Sequence, residues 1–167
     1  MLNFLLLNAF ISLALAQCSF SSDNIVANWT TSNGQLTINF MNSKLSNQQY
    51  TGIAFGASMT NLEVIVFEVK NNKPIVLTGQ TTAHGPPTTI DSITSSKAQT
   101  LSYKNGILMA TVTRPISLIS PRNNNLSGCS QWNFVAASPL NSDGSISKHT
   151  IQPKPMNVCP LNCPMMG

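Results

Sequence analysis

Short runs of residues with a two-residue period, separated by turn signals, most constrain what this chain can fold into. The body of the chain keeps no helical period, whereas alternating and β-branched runs recur along its 167 residues. Asn33-Gly34 and Asn105-Gly106 lie between such runs and predict tight hairpins, because both residue types tolerate positive φ. The predicted strands are residues 24–31, 36–40, 50–56, 63–70, 74–80, 99–103, 107–114, 132–138 and 144–151. These runs predict a single all-β domain, an antiparallel β-sandwich of about nine to eleven strands.

The N-terminus predicts a secretory signal peptide. Residues 2–16 form an apolar run that is shorter than the ~20 residues of a membrane span. Ala14-Leu15-Ala16 matches the small-residue cleavage site of a signal peptide, although no Lys or Arg precedes the apolar run. We therefore expect residues 1–16 to be removed, the mature chain to start at Gln17 and the protein to be secreted, with no later membrane span. A buried helix is the alternative for this segment.

All four cysteines, Cys18, Cys129, Cys159 and Cys163, follow the predicted cleavage site. An even number of cysteines in a secreted chain predicts disulfide bonds, and four cysteines allow three connectivities. We favour Cys18–Cys129 and Cys159–Cys163. A zinc site is the alternative, but the C-x3-C spacing has no second pair of ligands at zinc spacing. Two N-glycosylation sequons fit the same compartment: Asn28-Trp29-Thr30 and Asn125-Leu126-Ser127.

Charge is scarce, which excludes several classes of function. Only 8% of the residues are charged, against about 25% in typical domains. Carboxylate-rich metal sites therefore lack ligands, and no basic cluster forms a nucleic-acid surface. Glu63 and Glu68 are an odd number of positions apart, so we expect them on opposite faces of one strand and not in a joint acid–base pair. No nucleophile motif accompanies the two histidines, which favours a binding or electron-transfer protein over an enzyme.

Soft metal ligands remain as the chemistry that the chain can offer. Met59 follows the predicted strand 50–56, and His149 falls in the last predicted strand. A methionine and a neutral histidine form a known ligand pair for haem iron, whereas a core position for Met59 and an exposed one for His149 are the alternatives. His84 falls in the rigid turn His84-Gly85-Pro86-Pro87, where we expect it to be exposed, with copper or zinc ligation as its alternative.

Four segments together resemble the DOMON domain. Residues 50–67 contain a strand with a G-x-x-x-G turn, a methionine shortly after it, and an acidic step into an apolar strand. Thr113-Arg114-Pro115, Trp132-Asn133-Phe134 and residues 144–149 follow in the order and spacing that DOMON domains show. The resemblance covers residues 23–153, and it is strongest to the small secreted DOMON proteins of animals, nematodes especially.

The resemblance implies an immunoglobulin-like β-sandwich over residues 17–155, followed by a short tail at 156–167. It also implies haem ligation, because Met59 and His149 match the two axial positions of the haem-binding members. No C-x-x-C-H motif is present, so the haem would be of the b type and not covalently attached. With both axial positions filled by the protein, the resemblance implies extracellular one-electron transfer with an external redox partner.

A haem slot also needs apolar walls and cations for its propionates. Arg114 and Lys148 are the candidates for the propionates, with a structural ion pair or plain solvent exposure as the alternative for each. The candidate wall residues are Ile53, Phe55, Val64, Val66, Leu108 and Val112.

Glu63 stands where many DOMON domains carry Asp. The second hypothesis is a haem-free DOMON module that binds a sugar, a small aromatic ligand or an extracellular partner.

Overall fold

The structure is a computed structural model that describes residues 18–87, 89–91, 96–117 and 124–165. The predicted signal peptide lies outside these ranges. Within them, a 3₁₀ turn at Pro160–Asn162 is the one helical element, and no helix is long and apolar enough to cross a membrane. The strands are Ser19–Ser22 (β1), Ile25–Ser32 (β2), Gln35–Asn42 (β3), Gln49–Phe55 (β4), Glu63–Lys70 (β5), Lys73–Gln80 (β6), Thr89–Ile90 (β7), Lys97–Lys104 (β8), Ile107–Pro115 (β9), Ser130–Pro139 (β10) and Lys154–Val158 (β11).

These strands form two sheets that pack face to face. One sheet has the order β1-β2-β3-β9-β8, and the other has the order β11-β10-β4-β5-β6-β7. All of these neighbouring strands run antiparallel. Both predicted Asn-Gly hairpins are confirmed, since Asn33 and Gly34 have φ of 50° and 72°, and Asn105 and Gly106 have φ of 52° and 78°. The all-β sandwich predicted from the strand pattern is therefore confirmed.

Aromatic side chains join the two sheets. Trp29 of β2 packs against Trp132 of β10 with ring centroids 5.0 Å apart, and Phe55 of β4 meets Trp132 edge to face at 4.9 Å. All three side chains are buried. β4 and β5 differ from the other strands because they are buried on both faces. Their outer face must therefore be covered by further parts of the chain.

The cysteines form two disulfides, as expected, but the predicted pairing is wrong. The bonds are Cys18–Cys163 and Cys129–Cys159. β10 and β11 pair with Ser130 opposite Val158, and one further step of this antiparallel register brings Cys129 opposite Cys159. Cys163 reaches Cys18 because the chain after β11 runs beside β2, where Thr31 N donates to the Cys163 carbonyl at 2.7 Å. The pairing depended on β11, which the sequence analysis did not predict.

The last predicted strand is also wrong. Residues 144–151 belong to the connection between β10 and β11, where Ile146 forms an isolated bridge with Leu140. Gly144 has a φ of 81° and closes a turn, since its N–H donates to the Asn141 carbonyl. Ile146 is buried, whereas Ile151 is 49% exposed, so the segment does not bury alternate residues as a strand would.

Three short strands have no counterpart among the predictions. β1 and β11 lie at sheet edges, and β7 contributes only two residues beside β6. β11 contains Pro155, which an edge strand tolerates because one side of it makes no sheet hydrogen bonds. The domain boundary predicted after residue 155 falls inside β11, and Cys163 beyond it is buried in the core.

Candidate functional site

A cavity of about 680 Å³ lies on the outer face of the six-stranded sheet, away from the core between the sheets. This volume is within the ~300–1,000 Å³ of pockets for organic ligands. A side chain at Gly52 would bring its Cβ to 2.4 Å from the carbonyl oxygen of Ile65, so the neighbouring strand requires glycine there. Strands β4, β5 and β10 supply a floor of small and branched residues: Gly52, Ala54, Val64, Val66 and Val135.

The wall residues predicted from the sequence divide between this cavity and the core. Val64 and Val66 line the cavity. Ile53 borders it, but its side chain belongs with those of Phe55, Leu108 and Val112 to the core between the sheets. The division follows the alternation of side chains along each strand, because even and odd positions face opposite sides of a sheet.

Met59 lies in the loop between β4 and β5 and lines the cavity. Its half-buried side chain packs against an apolar cluster on the outer face, here called the outer cluster. The hydroxyl of Thr81 donates to the Met59 carbonyl, the N–H of Thr81 donates to the Leu62 carbonyl at 2.9 Å, and Asn61 N–H donates to the Thr81 carbonyl at 2.8 Å. These bonds hold the backbone that carries Met59. The outer cluster consists of Tyr50, Ala54, Leu62, Val64, Val66 and Ile146.

His149 lies in the connection between β10 and β11, which passes over the outer face, and it lines the same cavity as Met59. The Tyr50 hydroxyl donates to the Ser147 carbonyl at 2.7 Å, and Thr150 N–H donates to the Ser138 hydroxyl at 3.3 Å. Burial raises the pKa of Tyr50 to about 12, so its hydroxyl remains a hydrogen-bond donor at neutral pH. The fold thus brings Met59 and His149 together at one cavity.

His84 lines this cavity as well, from the loop that follows β6. Its side chain is exposed, as the sequence predicted. Across the described ranges, His, Cys, Asp and Glu side chains do not form any group of three or more that is placed to hold a metal ion. At the cavity, the Met59 thioether is a second kind of donor beside the imidazoles of His84 and His149.

The two predicted propionate contacts have different surroundings. Lys148 is exposed and lines the cavity. Arg114 does not line it, because the alternation of β9 turns residue 114 inward and leaves it 2% exposed. Arg114 Nη1 donates to Glu63 Oε1 at 2.6 Å, and Arg114 Nη2 donates to the Asn124 carbonyl at 2.9 Å. The structural ion pair, the alternative for Arg114, is therefore what the structure contains.

Glu63 and Glu68 face opposite sides of β5, as predicted. Glu63 pairs with Arg114 between the sheets. Glu68 contacts Lys70 Nζ at 2.5 Å and lines a second, neighbouring cavity on the outer face. The two carboxylates do not share a site.

The comparison with protein families gives one match. The model of the DOMON domain matches residues 21–138, more than half of the chain. The chain belongs to the DOMON family. Met59 lies within the matched DOMON range, and His149 lies beyond it.

Two DOMON domain-containing relatives match most of the chain. The chain is 32% identical over 151 residues to a DOMON domain-containing protein of Caenorhabditis elegans, covering 87% of this chain and 88% of that relative. It is 31% identical over 152 residues to a DOMON domain-containing protein of Caenorhabditis briggsae, with the same coverage of 87% and 88%. The resemblance drawn from the sequence motifs is confirmed.

Two solved structures share the fold of this DOMON protein. The cytochrome domain of Myriococcum thermophilum cellobiose dehydrogenase gives a TM-score of 0.63 at 10% identity and covers 88% of this chain and 83% of that chain. The cytochrome b domain of pyranose dehydrogenase from Coprinopsis cinerea gives a TM-score of 0.54 at 15% identity and covers 81% and 76%. At these identities the likeness concerns the fold.

Sequence reasoning missed the residues of the DOMON site that support the donors. Tyr50 falls at the start of a predicted strand and Thr81 lies just outside one, and no local signal marks their hydrogen bonds to the two cavity loops. Gly52 carried a usable signal, because a glycine inside a strand often marks a close approach of backbones.

Proposed function

We propose that this DOMON protein is secreted, binds haem b in the outer-face cavity through Met59 and His149, and carries single electrons outside the cell. One observation carries the proposal. Met59 and His149, which are far apart in the sequence, line the same apolar cavity. A thioether and an imidazole are one pair of side-chain ligands that can together fill the axial positions of a haem iron.

The cavity fits a flat organic group better than a bare ion. Its volume of about 680 Å³ is far larger than an ion with directly bound side chains requires, and its floor on β4 carries Gly52 and Ala54. When bound, haem supplies a one-electron iron couple. Methionine ligation raises the reduction potential of such a couple, so Met59 would set a higher potential than a second imidazole would.

The chain's own residues have separate tasks in this proposal. The outer cluster excludes water from the floor, and the Tyr50–Ser147 hydrogen bond positions the segment that carries His149. Lys148, exposed at the lining, is placed to pair with a propionate.

Several features support an extracellular location for this activity. The chain has two disulfides, which form in oxidising compartments, and its first residues match a signal peptide. The sequon residues Asn28 and Asn125 are both exposed. The electron donor and acceptor would be separate proteins or small molecules.

Axial ligation is tested by comparing M59L and H149A with the wild-type protein after each is mixed with hemin. We expect a six-coordinate low-spin spectrum for the wild type, loss of that spectrum in H149A and a lower midpoint potential in M59L. M109L is the matched control, because Met109 is 53% exposed on β9 of the other sheet. A low-spin spectrum in H149A identical to that of the wild type would contradict the assignment. A wild-type protein that binds no hemin would favour a sugar or a small aromatic ligand in the same cavity.

A further inference from the structure

We propose that His84 is an alternative axial ligand, able to replace Met59 opposite His149. This inference rests on the proposed haem site. Three donors line the cavity, Met59, His84 and His149, and a haem with two axial ligands uses only two of them. Two donors that reach the cavity from the same side can replace each other, so the sides from which the three donors come decide the pair.

Met59 and His84 come from the same end of the six-stranded sheet. Phe55 pairs with Glu63, and Glu63 pairs with Gln80, so the loop after β4 and the loop after β6 leave the sheet side by side. Thr81 joins these loops, since it exchanges backbone hydrogen bonds with Asn61 and Leu62 and its hydroxyl donates to the Met59 carbonyl. His84 follows Thr81 by three positions. Met59 and His84 therefore belong to one joined wall of the cavity.

His149 comes from the opposite end. β10 pairs with β4 so that Ser138 lies opposite Tyr50, at the start of β4, and the connection that carries His149 begins after β10 ends. This connection is held at that end, where Tyr50 donates to Ser147 and Ser138 accepts from Thr150. His149 therefore reaches the cavity from the end opposite to the anchored ends of the loops that carry Met59 and His84, so a planar group bound there could be held by His149 together with either of them.

Burial decides which of the two donors is the resting ligand. Met59 is half-buried against the outer cluster, whereas the imidazole of His84 is exposed at the lining. Gly85, next to His84, has open space around it, because a Cβ built there meets nothing within 4 Å. Met59 would thus be the preferred ligand, and His84 would be able to hold the iron where the Met59 thioether is absent, as in M59L. Replacing a thioether by an imidazole moves no electrons and would lower the reduction potential of the iron.

The test compares hemin complexes of M59L and M59L/H84A by absorption and electron paramagnetic resonance of the oxidised protein. We expect M59L to stay six-coordinate and low-spin, with a bis-imidazole signal and a lower midpoint potential than the wild type. We expect M59L/H84A to become five-coordinate and high-spin. In M109L/H84A, where Met59 is still present, the low-spin signal should persist.

The outcomes separate the two proposals. High-spin iron already in M59L would overturn the role of His84 while leaving Met59 and His149 in place. A low-spin signal that persists in M59L/H84A would also overturn the role of His84, because a ligand other than Met59 or His84 would then fill that position. A wild-type protein without a His149-dependent low-spin spectrum would overturn the haem site itself, and the role of His84 with it.

Discussion

Removing one partner of the ion pair between Arg114 and Glu63 should strongly destabilise the sandwich. Both side chains are 1–2% exposed, and their charged atoms are 2.6 Å apart. The second carboxylate oxygen of Glu63 accepts from Asn124 N–H at 2.6 Å, and the guanidinium lies 5.5 Å from the centre of the Phe55 ring. Burial lowers the pKa of Arg114, and the negative charge of Glu63 opposes that shift. Each partner therefore compensates the buried charge of the other.

Replacing Arg114 by methionine keeps an unbranched apolar stem, removes the guanidinium and leaves the Glu63 carboxylate buried without its cation. Removal of one partner of a buried pair costs about 3–5 kcal/mol, whereas replacing both partners by apolar residues is often close to neutral. We therefore expect R114M to lose about 3–5 kcal/mol of unfolding free energy. The double variant E63L/R114M should lose much less than the sum of the two single variants.

Urea unfolding followed by fluorescence measures these differences. With an m-value of about 2 kcal/mol/M, a loss of 4 kcal/mol moves the unfolding midpoint down by about 2 M. K97M is the control, because Lys97 is exposed on β8 and its loss should change the free energy by at most about 0.5 kcal/mol. The reasoning is refuted if R114M costs less than about 1 kcal/mol, or if the double variant costs as much as both single variants together.

Three further predictions follow from individual residues. The pKa of Tyr50 is raised from 10.0 to about 12, so the folded state holds its proton more tightly; this stability is complete below about pH 10 and falls by roughly 1–3 kcal/mol as the pH rises through 12. Urea unfolding at pH 9 and pH 11.5 should show a larger loss in wild type than in Y50F, and equal losses would contradict it. Removing the Cys129–Cys159 disulfide, which closes a separation of 30 residues, should cost about 3.6 kcal/mol by chain entropy, and an unchanged urea midpoint in C129S/C159S would contradict that. G52A should cost about 1–3 kcal/mol in thermal unfolding because of the contact with Ile65, while G128A, with nothing within 4 Å, should not; equal melting temperatures for the two variants would count against a tight floor.

Long strands with turns of known chemistry were predictable from the sequence. β5 has the predicted bounds, Glu63–Lys70, and the Asn-Gly turns adopt the positive φ that those residues favour. Short edge strands were not predictable from the sequence, because β1 and β11 have only four and five residues and form through pairing with the strand beside them. The disulfide pairing failed for the same reason, since Cys159 meets Cys129 only through β11.

The two candidate donors, Met59 and His149, could be selected from the sequence, but the residues that hold their loops could not. Met59 and His149 were selected by chemistry and by resemblance to DOMON domains, and the structure places both at one cavity. The alternative for Arg114, a structural ion pair, is present, but a charged residue next to a proline gives no sign in the sequence that its partner is Glu63. His84 looked like a surface residue, and it is exposed, but only the hydrogen bonds of Thr81 bring its loop beside that of Met59.

A hemin titration of the purified protein tests the central claim most directly, with absorption spectra recorded before and after reduction by dithionite. We predict saturation at one haem per chain and sharp reduced bands of a six-coordinate low-spin b-type haem. A protein that stays colourless, or that gives only the broad spectrum of loosely bound hemin with no change in H149A, would contradict haem binding in the cavity shared by Met59 and His149.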